Sequence, residues 1–447
     1  MSLKIFNFFA NIFAKEEKTA LFKSWSLAWP VILANMSMPL LGLTDAAILG
    51  HLDNSLYLAG VTAGLALMAY VFGGFNFLAM GLSGFTSQLL GQKNYTELKL
   101  TLYRYLALAL FLIVSFILFS PLFIKVGLTF INPPAVVAEQ AQLYLSIRMF
   151  GVPALVLNSL LLGFFIGMQN TKIGLQTVAV SQVANIGLNL WFVYGLGMTI
   201  DGIAWGTVIS EYLGLSLILW RLWRTFQSTS LKNAKVSSFS IKWQAFKPIF
   251  EVSSHIFVRT FILLTSFLWF SRISADLGAS TLAANGLLLQ FFYFISHFLD
   301  GTAAAAEAQT GHAIGRNNKP LKRLVFKTTF LLTVGFMLTM SAFFGVFGSH
   351  FVALLNSQPD VLIEANQVIW LIAWLPITGG LAFWLDGIFI GARESKAMRN
   401  SVVFGFLSFF GISWFLIESN TGLWLSFHCM FMVRSLWLLT VFFRRVY

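Results

Sequence analysis

Residues 25–50 read WSLAWPVILANMSMPLLGLTDAAILG, an apolar run holding a single acid, Asp45, with Thr44 beside it and Pro30 and Pro39 upstream. A bilayer is crossed by about 20 apolar residues in a helix, so this stretch is long enough to span. A carboxylate inside such a segment costs roughly 2.5–3.5 kcal/mol on insertion scales. Proline withholds an amide donor and clashes with the carbonyl four residues back, so Pro30 and Pro39 are the expected kink points of this first helix. Both breaks are tolerated where a helix lines a wetted cavity inside protein. Two readings of Asp45 stand at this point: a titrating group in such a cavity, or a carboxylate at the outer end of the span that reaches headgroup water.

The remainder of the chain has the same character. Further apolar spans fall near 56–90, 102–130, 137–168, 173–197, 200–223, 246–272, 279–314, 323–350, 359–391, 397–418 and 422–443, giving twelve with the first. Of 447 residues, 57% are hydrophobic and only 10% charged, where soluble domains carry about one quarter charged. Forty-eight Phe and fourteen Trp cannot be hidden in a soluble core with so little charge to cover it. The fold class expected is an all-α membrane protein with twelve transmembrane helices. Residues 1–24, with Phe6, Phe9 and Phe13 on one face, read as an amphipathic segment at the inner surface rather than a cleaved signal. A lone cysteine, Cys429, excludes an intramolecular disulfide and a thiolate metal cluster.

Basic residues set the orientation. Lys15, Lys18 and Lys23 precede span one, and Lys93, Lys99 and Arg104 follow span two. Arg221, Arg224, Lys232, Lys235, Lys242 and Lys247 lie between spans six and seven, and further clusters follow spans eight, ten and twelve. The alternate loops carry almost none, with Lys125 and Arg272 the exceptions. By the positive-inside rule both termini are cytoplasmic. The net charge of +12 therefore marks topology and attracts anionic lipid; nucleic acid is not an expected partner.

The polar stretch 226–245 divides the chain into lobes over 25–225 and 246–447. These look like copies. LLGQKN follows span two and AIGRNN follows span eight, with Gly91 and Gly315 separated by 315 − 91 = 224. The same offset joins Asn94 to Asn318, Gly163 to Gly387, Gly167 to Gly391 and Lys172 to Lys396. Six helices per copy is an even number, so both copies insert in one orientation. Two parallel-repeat six-helix bundles follow, with a site expected near the midplane.

Within the spans, Asn185 and Asn189 share a helical face. They read either as helix–helix glue or, with Asp45 and Thr207, as a proton or cation site. Span seven carries Glu251, His255 and Arg259 at four-residue steps, again on one face. Asp300 and Glu307 flank GTAAAA in span eight, and Asp386 lies near the inner end of span ten. These acids are expected to pair with Arg259 and inner-loop bases in a gate at the cytoplasmic face. No glycine-rich phosphate loop, metal-ligand cluster or nucleophile constellation is recognisable, so an enzyme and a bound cofactor are not expected.

Together, the first span with Asp45, NIGLNLWFVYGLGMTIDGIAWGTVISEY and LDGTAAAAEAQTGHAIGRNN resemble the multidrug and toxic compound extrusion family, in its DinF-like branch. The resemblance implies a V-shaped pair of bundles that alternates access and exports organic compounds against an inward flow of H⁺ or Na⁺. It also implies that Asp45 is the family's first-helix acid, with Asn185 and Thr207 as polar partners. Asn189 departs from the pattern N-x-x-x-D, which removes one carboxylate, and Arg259 stands where sodium-coupled relatives carry Glu. The expectation is a monomeric, proton-coupled exporter of hydrophobic or cationic small molecules in the bacterial inner membrane. Sodium coupling at Asp45, with Asn185, Asn189 and Thr207 supplying oxygens, is the alternative; a lipid-linked precursor flippase is another, and would require a basic groove.

Overall fold

The computed structural model describes residues 15–50, 55–234, 243–416 and 419–447, except for the side chains of residues 38–43, 46, 50, 55 and 229. Phe6, Phe9 and Phe13, and the side chain of Pro39, lie outside the described residues. Twelve long helices follow one another: α1 (Lys15–Gly50), α2 (Ser55–Gly91), α3 (Tyr95–Ile131), α4 (Ala135–Gly167), α5 (Thr171–Leu190) and α6 (Ile200–Phe226). Then come α7 (Trp243–Asp276), α8 (Ala279–Gly315), α9 (Lys319–Leu355), α10 (Pro359–Ala392), α11 (Ser395–Phe415) and α12 (Asn420–Val446). Among the described residues nine of these are long and apolar enough to cross a membrane by length and composition. Helices such as α2, α3 and α8 reach 37 residues, about 55 Å at ~1.5 Å per residue, so they extend past a hydrocarbon core of about 30 Å.

α1 runs without interruption through Pro30 and Pro39 and already includes residues 15–24, which the sequence had suggested as a separate surface segment. Its neighbours change along its length. The chain forms two compact units, one containing Leu33–Phe250, the other containing the helix up to Ile32 together with Glu251–Tyr447. In the second unit Gln309 of α8 donates to Ser24 Oγ at 2.8 Å, and both side chains are buried.

The 224-residue repeat in the sequence has a counterpart in the backbone of each unit. Lys93 and Asn317 hold the left-handed conformation at φ 58° and 50°, as do Gln169 and Arg393 at 58° and 60°. Asn94 caps α3 by accepting from the Glu97 amide at 3.1 Å, and Asn318 caps α9 by accepting from the Leu321 amide at 2.8 Å. Gly163 of α4 packs on the backbone of Ala79 in α2, and Gly387 of α10 packs on the backbone of Ala303 in α8; a β-carbon at either glycine would overlap the facing carbonyl. Between helices surrounded by lipid there is no hydrophobic drive to associate, so close backbone approach through small residues is what gives packing attraction.

The aromatic richness is partly consumed in this packing. Phe427 is fully buried and touches the rings of Phe267, Phe270, Phe292, Phe409, Trp424 and Phe431.

Candidate functional site

α1, α5 and α6 bring Asp45, Asn185, Asn189 and Thr207 into one hydrogen-bonded chain inside the Leu33–Phe250 unit. Asn189 Nδ2 donates to Asp45 Oδ1 at 2.7 Å and to Asn185 Oδ1 at 3.0 Å. Asn185 Nδ2 donates in turn to Thr207 Oγ1 at 3.0 Å, and that hydroxyl donates to the Ile203 carbonyl at 2.9 Å. All four side chains are buried. The one-turn spacing of Asn185 and Asn189 lets their amides touch along α5. Gly206 of α6 makes room, since a β-carbon there would collide with Asn189 Oδ1. That Oδ1 has no hydrogen-bond partner among the described residues.

A second polar group of this unit escaped the sequence reading. Arg148 of α4 grips Glu211 of α6 in a bidentate ion pair, Nη1 to Oε2 at 3.0 Å and Nη2 to Oε1 at 2.8 Å, with Arg148 almost fully buried. Asn158 Nδ2 donates to the Glu211 carbonyl at 2.8 Å. Neither charge shows a helical-spacing partner in its own segment, so only packing of α4 on α6 reveals the pair.

In the other unit Arg259 was expected to pair with Asp300, Glu307 and Asp386. Of these it bonds Asp386 Oδ2 of α10 at 2.5 Å, and Arg434 of α12, which the sequence reading passed over, reaches the same oxygen at 2.7 Å. Arg434 also stacks over the Phe431 ring at 5.5 Å. Asp300 lies within electrostatic range of Arg259 and Asp386 without a hydrogen bond to either. Glu307 is buried further along α8. Glu251 is exposed, and His255 Nδ1 lies 3.2 Å from Arg399 Nη1, so the α7 ladder looks outward to α10 and α11 rather than bonding along itself.

A sequence profile of the MatE family matches residues 30–191 and again residues 256–415, one match on each side of the central polar stretch. The chain belongs to the MatE family. This MatE chain is 32% identical over 426 residues to the DNA damage-inducible protein F of Escherichia coli K12, covering 94% of this chain and 91% of that one. It is 25% identical over 409 residues to a probable multidrug resistance protein NorM of Photorhabdus laumondii, covering 88% and 85%. Its fold matches a solved MATE-family multidrug resistance transporter of the MOP superfamily in an outward-facing conformation, with a TM-score of 0.85 at 17% identity and 96% of each chain covered. The MatE chain is thus an all-α, multi-pass membrane protein with twelve helices.

Proposed function

We propose that this MatE chain is a secondary active exporter of hydrophobic or cationic small molecules. It works by antiport against protons carried on Asp45, in a bacterial plasma membrane with both termini cytoplasmic. Relatives named as multidrug resistance proteins, NorM of Photorhabdus and MdtK of Yersinia enterocolitica, support the export reading.

The observation that carries proton coupling is the donor polarity of the Asp45 chain. Both amide hydrogens of Asn189 are used, one on Asp45 and one on Asn185, so the arrangement suits a charged carboxylate. A protonated Asp45 offers an O–H and needs an acceptor. Turning over the Asn189 amide supplies its otherwise unpartnered Oδ1. Asn185 then turns as well, donating to Asn189 and accepting from the Thr207 hydroxyl. The chain therefore has two polarities, one for each protonation state of Asp45; the second costs the Asn189 NH₂ group its two acceptors and takes the Thr207 hydroxyl from the Ile203 carbonyl. A conformational equilibrium is shifted only by a difference in interaction free energy between its states, and this reversal supplies one. The lone carboxylate agrees with proton coupling, because a sodium ion is held by converging oxygens and Asn189 presents an NH₂ group to Asp45.

Proteoliposomes loaded with ethidium test the reading. A pH gradient alone should drive transport, a sodium gradient at equal pH should not, and Asp45→Asn should abolish the driven component. Sodium-driven transport that is indifferent to collapse of the pH gradient would overturn it.

A further inference from the structure

A groove of about 920 Å³ runs between α3, α4 and α6, with every wall in the Leu33–Phe250 unit. Pro121 lies at its centre inside α3 and leaves the Ile117 carbonyl without its helical donor. Ser120 Oγ donates to that carbonyl at 2.8 Å, so the bend needs no polar partner from outside. The lining changes character along its length. Towards mid-helix it is formed by Pro121, Pro153 and Phe150; towards the chain reversal at 132–134 it is formed by Lys125, Thr129 and Asn132, with Gln142 opposite.

We propose that this groove binds a phospholipid with an anionic headgroup, taken from the leaflet on the side of the α3–α4 turn. An acyl chain lies along the proline and Phe150 wall, and the headgroup phosphate meets Lys125. Lys125 is exposed and forms no ion pair among the described residues; Glu139, next to the lining residue Ala138, does not line the groove. An ammonium at membrane depth or at its edge has to find an anionic or aqueous partner, and a phosphate ester at the interface is the nearest anion in a bilayer. The gradient from apolar to polar along the groove is that of an amphiphile standing in one leaflet. A hydrophobic cation would meet the Lys125 charge with no carboxylate in the lining to offset it. Lys125, one of two basic residues that run against the charge asymmetry of the loops, thereby gains a role. The site requires nothing of the coupling mechanism.

The test uses purified protein from vesicles of phosphatidylcholine with a minority of phosphatidylglycerol, with retained lipids counted by native mass spectrometry. Lys125→Gln should retain about fivefold less phosphatidylglycerol with phosphatidylcholine unchanged, the factor expected of one basic residue at an anionic surface. Lys125→Arg should retain the wild-type amount. Ser146→Trp, which fills the groove from its exposed α4 wall, should reduce both lipids. Unchanged phosphatidylglycerol in Lys125→Gln would overturn the proposal. So would a Ser146→Trp variant that loses tetraphenylphosphonium binding but keeps its phosphatidylglycerol, which would make the groove a site for cations.

Discussion

The two units share a scaffold and differ in what they bury. Both turn through a left-handed residue and an asparagine cap at equivalent positions, and both press a glycine onto a facing alanine backbone. The polar interiors bear no such correspondence. Around Asp45 a single carboxylate ends a chain of neutral amides and a hydroxyl, with the Arg148–Glu211 pair closed upon itself. Around Asp386 two guanidinium groups converge on one carboxylate oxygen. Backbone packing tolerates little variation, because closer or wider approach forfeits contact along whole helices. A buried polar group is free to change so long as its partners change with it. The first unit sets its carboxylate among neutral amides and a hydroxyl; the second holds a charge that its neighbours require.

Substitution of that second carboxylate should therefore have the largest effect. Asp386→Asn leaves the buried Arg434 and the half-buried Arg259 without their counter-charge and should lower stability by about 3–5 kcal/mol, measured as loss of folded protein on heating in detergent. A melting temperature close to wild type would mean that Asp300 takes over the pair, and the contrast between units would weaken. Next come the paired glycines. Gly163→Ala and Gly387→Ala should each cost about 1–3 kcal/mol through overpacking against backbone, and by similar amounts. A large difference between them would break the scaffold equivalence. The caps give a smaller and sharper comparison: Asn94→Ala and Asn318→Ala should each cost about 1 kcal/mol in the same unfolding assay. Smallest for stability is Asp45→Asn, expected to shift it by less than about 1 kcal/mol because the neighbouring amides can re-form their bonds. It is nevertheless the variant that should stop proton-driven efflux.

The scaffold was legible in the sequence because its signals are local. Spans announce themselves by length, and the turns GQKN and GRNN carry the asparagine and the left-handed residue that end one helix and begin the next. The Asp45 group was legible for a related reason. Asn185 and Asn189 share a face by spacing alone, and an acid in a membrane span has few neutral partners to choose from. What escaped was pairing across helices. Spacing says which face of a helix Arg259 occupies, but which neighbour lies opposite depends on packing, so Asp386 could not be preferred over Asp300. Arg434 and the Arg148–Glu211 pair have no cofacial partner of opposite sign in their own segments, and a charge without a local partner gives a sequence pattern nothing to fix on.

The divided allegiance of α1 has a consequence for biosynthesis. Ser24 leaves the ribosome well before the side chain that bonds it, Gln309, which follows 285 residues later. At about 5–20 residues per second, roughly 15 s to a minute passes before that partner is made. The first half of α1 must spend this interval inserted without its final neighbours, and maturation of the protein includes a late docking of α1.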